Sequence, residues 1–185
     1  MPNLAGLLPV SYVLLGYGIK YLDGWLQHNR TLERERETRS ALRQDAIAER
    51  RTQFQRQTLL DLQPALMDLA RHASKMHLHD LTGYRTTGAF HLQAYPDDAN
   101  QGFGLAAALT SMLAVRANDA EVRVLTAAFK SAASDISGAR NPDDSIASFV
   151  KMSRSFESLQ ERIGVVLRAL DEDDTKQQEA LAKNK

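Results

Sequence analysis

No charged side chain occurs between Met1 and Ile19, and Leu4 to Ile19 reads LAGLLPVSYVLLGYGI. An α-helix of that composition is apolar on nearly every face, so it needs either lipid or a large protein core around it. A helix rising about 1.5 Å per residue takes roughly 17–25 residues to cross a hydrocarbon layer about 30 Å thick. Leu4 to Leu26 reaches that length if Lys20 extends to the headgroups and Tyr21 and Trp25 lie in the interfacial aromatic belt. Pro9 falls near one end, where a membrane helix tolerates it. The sequence therefore predicts a membrane anchor over residues 1–26, with Leu4, Leu15, Ile19, Tyr21 and Trp25 as its lipid and interface contacts.

The basic residues set its direction. None precedes the apolar run, whereas Arg30, Arg34, Arg36, Arg39 and Arg43 follow it, so a single pass with the N terminus outside and the remainder cytoplasmic is expected. A cleaved signal peptide would want a positive start and a small-x-small cleavage site, and the chain offers Met-Pro-Asn-Leu and Leu22-Asp23-Gly24-Trp25-Leu26 instead. A buried soluble helix would use the stripe Tyr12, Leu15, Ile19, Leu22 and Leu26, but leaves Leu8, Val10, Val13 and Leu14 uncovered. No well-placed small-xxx-small pair indicates pairing of anchors within the membrane.

The remainder reads as helix. Glycine and proline are sparse, and no stretch sustains the alternation of a half-buried strand. A formal net charge of zero removes the electrostatic case for nucleic acid, and the absence of cysteine removes disulfides, thiolate nucleophiles and thiolate metal sites. Residues 27–58 interleave arginines with acids, and contain neither glycine nor proline. They are expected to form a charged, solvated helical stalk. From Leu59 the apolar positions sharpen: Leu59, Leu62, Leu66, Leu69, Ala73 and Met76 step by three and four, a packing seam. Pro64 lies inside it and predicts a kink or a restart, with Gly83 as the end.

Residues 83–102 hold three glycines and Pro96 and are expected to form one long loop. Three further helices follow. Phe103 to Ala117 presents Leu105, Leu109, Met112 and Leu113 as its seam. Asp119 caps the next, which carries Val122, Leu125, Phe129, Ala132 and Ile136. Pro142, Asp143 and Asp144 open the last, whose seam is Phe149, Met152, Phe156, Leu159, Ile163, Val166 and Leu170. The expected architecture is all-α: a transmembrane helix, a helical stalk, an up-down four-helix bundle over 59–170 and a disordered charged tail over 171–185.

Chemical signatures are weak. His72, His77, His79 and Asp80 cluster in sequence with His91 nearby, but spacings of five and two place His72, His77 and His79 on different faces of a helix, which argues against a metal site. No Glu-x-x-His pair, phosphate loop or nucleophile elbow is present. The reading carries no catalytic residue, cofactor or metal, and no enzyme is expected.

Residues 54–66, Phe-Gln-Arg-Gln-Thr-Leu-Leu-Asp-Leu-Gln-Pro-Ala-Leu, follow an apolar start and an arginine-rich stretch. In that combination the chain resembles a group of uncharacterised bacterial proteins, of actinobacterial type, that join an N-terminal anchor to a helical cytoplasmic region. Pro64 departs from their pattern. The resemblance covers residues 1–80, implies a protein of the bacterial inner membrane, and brings no functional residues with it. The expected function is a membrane-tethered scaffold that docks a cytoplasmic protein partner or self-associates along residues 27–81. The alternative is a small-ligand or metal sensor using the bundle and the 83–102 loop.

Overall fold

The structure is a computed structural model that describes the backbone of residues 8–91 and 94–183, and the side chains of 31–91, 94–176 and 179. It contains four helices: α1 (Leu8–Thr87), α2 (Asp97–Arg116), α3 (Ala120–Ser137) and α4 (Pro142–Lys183). Among the described residues there is no strand. The chain divides into two units, 1–50 and 51–185. The first is helical from Leu8, and every side chain described in it (residues 31–50) is exposed, including Leu42 and Ile47. Among the described residues no helix is long and apolar enough to cross a membrane. The side chains of the expected anchor, residues 1–26, all lie outside the described residues.

The second unit is a helical bundle. Leu59, Leu62, Leu66, Leu69, Ala73 and Met76 of α1 are all buried, as the three-four spacing demands. They share one apolar core with Leu113 of α2, Val122, Phe129 and Ile136 of α3, and Met152, Leu159 and Ile163 of α4. Each fully buried aliphatic or aromatic side chain contributes about 1.5–3 kcal/mol relative to exposure. Cross-helix contacts fix the directions. On α1, Gln55 reaches Arg116 and Lys75 reaches Asp98, so α2 runs antiparallel to it. Arg56 reaches Asp174, Gln63 reaches Gln160 and His77 reaches Ser145, so α4 is antiparallel to α1 as well. Phe129 packs on Phe156 with ring centroids 5.6 Å apart, and Lys151 pairs with Asp135, which sets α3 antiparallel to α4. The order is up, down, up, down.

Several boundaries differ from the sequence reading. Helix α1 continues through Pro64, which sits on its exposed side, so 27–62 and 64–81 are parts of one helix. It ends at Thr87 and not at Gly83. Gly88 has φ 71° and donates its N–H to the Tyr84 carbonyl, the left-handed turn that only glycine adopts without strain. Helix α2 starts at Asp97, because Pro96 leaves its carbonyl free to accept from Ala99 and Asn100, while Asp97 and Asp98 favour the positive helix end. The loop is therefore 88–96, shorter than 83–102.

Helix α4 continues to Lys183, so the charged segment after Asp171 is helical where disorder is expected. Arg56 draws its first turn onto the bundle through Asp171 at 2.6 Å and Asp174 at 2.7 Å. The two inter-helix caps follow the sequence reading. Asp119 accepts from the Val122 N–H at 2.8 Å, and Pro142 opens α4 behind Asn141, whose side chain accepts from the Asp144 N–H.

Helix α2 is turned relative to its expected seam. Leu105, Leu109 and Met112 are exposed, whereas Ala99, Ala106, Thr110 and Leu113 face inward. Small residues on the inner side let α2 lie close to α1: a Cβ placed on Gly102 would overlap the His72 ring. The larger side chains are left outside.

Candidate functional site

Two features of the bundle stand apart from ordinary core packing. The first is a polar cluster where the end of α1, the 88–96 loop and the start of α4 meet. Asp80 lies on the inner side of α1 with its side chain almost fully buried. Its Oδ2 accepts from the Tyr95 hydroxyl at 2.6 Å, and its Oδ1 lies 3.1 Å from Nδ1 of His91. The other ring nitrogen of His91, Nε2, is 2.7 Å from the Ala139 carbonyl, which only accepts, so Nε2 carries a proton. His91 occupies the left-handed region at φ 59°, a conformation that costs a non-glycine residue energy unless its contacts hold it. Its two ring contacts hold it here. Burial pushes the Tyr95 phenol well above its ordinary range, and its hydrogen bond to Asp80 and the Asp80 charge add to the rise.

One turn earlier on α1, His77 is buried. Its Nδ1 is 2.7 Å from the Ser145 hydroxyl, and its ring stacks on Phe149 with centroids 4.6 Å apart and planes within 9°. Burial lowers its pKa against the opposing pull of Asp80, so the ring is neutral at neutral pH. Ser145 has no exposed surface, and Asp80 bonds to His91 and Tyr95 rather than to His77. A serine, a histidine and an aspartate are therefore close, but without the relay or the access that acyl transfer needs. The cluster fastens the loop and the α3–α4 turn to α1.

The three histidines singled out by sequence have separate surroundings. His72 packs against Gly102, His77 against Ser145 and Phe149, and His79 against Tyr95 at a centroid distance of 5.8 Å. Among the described residues no three His, Asp or Glu side chains converge as metal ligands do. Tyr95 is the residue that sequence reasoning missed, and His91 was noted only as lying near the other histidines; the one further signal was a turn-rich loop.

The second feature is the outer face of α2. Leu105 is 74% exposed, Val115 80%, Met112 49% and Leu109 43%, and no charged residue occurs from Phe103 to Val115. Single exposed apolar residues are ordinary, but a contiguous uncharged helix face marks a contact surface. The anchor contacts proposed from sequence, Leu4, Leu15, Ile19, Tyr21 and Trp25, lie outside the residues whose side chains are described. No family model matches the chain, and neither a curated protein nor a solved structure does.

Proposed function

We propose that this chain is a membrane-tethered helical module that docks a protein through the outer face of α2. The uncharged face from Gly104 to Val115 carries the reading, because the core behind it is already filled by the inner side of the same helix. A folded bundle gains nothing from leaving these side chains in water, whereas covering them stabilises a complex by roughly 25 cal/mol per Å² of apolar surface removed. The tether rests on sequence: an uncharged start, an aromatic edge at Tyr21 and Trp25, and arginines on one side only. On the exposed helix that follows, Arg36, Arg39 and Arg43 line one side, which suits the anionic surface of a cytoplasmic leaflet. The proposed site is the inner membrane of a bacterium, N terminus outside and bundle in the cytoplasm.

Alkaline carbonate extraction tests the tether: the full chain should stay with the membranes, and removal of residues 1–26 should release a soluble helical protein. Recovery of the intact chain in the soluble fraction without detergent overturns it. Proximity labelling in cells tests the docking face. Met112→Glu should lose neighbours that the wild type labels; identical neighbour sets would show that α2 docks no other protein.

A further inference from the structure

We infer that the partner covering the outer face of α2 is the same face of a second copy, packed antiparallel about a twofold axis between Ala106 and Ala107. This inference rests on the reading of α2 as a docking face and identifies the occupant. Three observations carry it. The first is charge. Asp97 and Arg116 stand at opposite ends of the exposed stripe that runs through Gln101, Leu105, Ala108 and Met112. Both are exposed, and neither makes an ion pair among the described residues, whereas the adjacent Asp98 is held by Lys75. An antiparallel copy brings each Arg116 to the other's Asp97, twice by symmetry. A parallel copy would set like charge on like.

The second observation is size. In the register that joins Arg116 to Asp97, Leu105 faces Ala108 of the second copy, and Leu109 faces its Gly104. Both leucines therefore meet a small residue. A Cβ on Gly104 would meet nothing within 4 Å in this chain, so the space above it is open to receive a leucine. The third is composition. A twofold face must complement itself, and a stripe uncharged in its middle with opposite charges at its two ends does so. A differently charged partner would leave Asp97 or Arg116 unmatched.

The test uses the full chain in detergent micelles. The protein has no cysteine, so Ala108→Cys, beside the axis, reports the contact under mild oxidation. It should form a disulfide-linked dimer, while Val124→Cys, exposed on α3, should not. By sedimentation equilibrium, Leu109→Glu should weaken the dimer about a hundredfold or more, since each event buries two unpaired charges. Arg116→Glu should weaken it about tenfold, and Asp97→Arg with Arg116→Glu should recover to within about threefold of the wild type. These residues are exposed, so the separated monomers should keep the helix content of the wild type, while melting falls only as far as the lost association requires.

A chain that is monomeric at about 100 μM, a dimer indifferent to Leu109→Glu, or a charge swap without recovery overturns the pairing. The labelling experiment then separates the two ideas. If Met112→Glu still loses neighbours, α2 docks a different protein. If it loses none, the docking reading falls as well.

Discussion

Replacing Asp119 tests how one side chain holds α3 and α4 in register. Its Oδ1 caps α3 by accepting from Val122 N–H, and the same carboxylate takes two bonds from Arg162 of α4, Nη2 to Oδ2 at 2.6 Å and Nε to Oδ1 at 3.2 Å. Loss of a cap costs about 1 kcal/mol, and charge-assisted bonds of this kind contribute about 1.5–3 kcal/mol. The Asp119 side chain is only 18% exposed, so solvent weakens the pair less than on an open surface. Asp119→Ala should therefore destabilise by about 2–4 kcal/mol in urea denaturation at neutral pH. Asp119→Asn keeps an acceptor for the cap and should lose about 1–2 kcal/mol less than Ala. The Arg162 bonds hold the Asp119 pKa below the ordinary carboxylate range, with the cap N–H assisting and burial opposing.

A depressed folded pKa contributes stability above the unfolded value of about 3.9 and loses it as pH falls through the folded value. The gap between wild type and Asp119→Asn should accordingly close in acid, below about pH 3.9. In a double-mutant cycle with Arg162→Met the double variant should lose less than the two single losses added. Equal losses for Asn and Ala, a gap that persists at low pH, or strictly additive losses in the cycle would refute the clamp.

Phe129 is fully buried while Phe156, its ring partner, is only partly so, and Phe129→Ala should cost about 3–5 kcal/mol with a smaller loss for Phe156→Ala and less than about 0.5 kcal/mol for the exposed Glu161→Ala, all by chemical denaturation. Gly102→Ala should cost about 1–3 kcal/mol by crowding His72, and most of that loss should disappear in a His72→Ala background. Asp80→Ala should free the 88–96 loop, read as faster amide hydrogen exchange, and lower the pH at which Tyr95 ionises in an ultraviolet titration. Because the folded Tyr95 pKa is raised, its contribution is present below about pH 10 and lost as pH rises through the folded value; Asp80→Ala should narrow that alkaline loss.

The elements that sequence revealed are those whose apolar stripe has a polar counterpart to set its phase. Leucines alternate with Asp61, Gln63, Asp68 and Arg71 in α1, so the seam is unambiguous and all six expected residues are buried. In α4 the same contrast places Met152, Leu159 and Ile163 at the centre. Helix α2 has no such contrast. Choosing its largest residues as the inner ones picks the wrong side, since close approach to α1 selects Ala106 and Thr110. The Asp119 cap was legible because its partner is three residues away, while Arg162 is 43 residues on and carries no local mark. The Asp80, His91 and Tyr95 cluster was hidden for the same reason. Its geometry depends on a left-handed residue inside a loop.

The antiparallel order of the bundle also sets a timetable for synthesis. Gln55 meets the backbone of Asn118 and Arg116, so α1 can close on α2 only after about sixty further residues have emerged. Its other flank waits for α4, since Arg56 and Asp174 are 118 residues apart. At about 5–20 residues per second that interval lasts roughly 6–24 s. For most of it the leucines from Leu59 to Leu69 have been made, but the flank that α4 will cover stays open to any other apolar surface the cell presents.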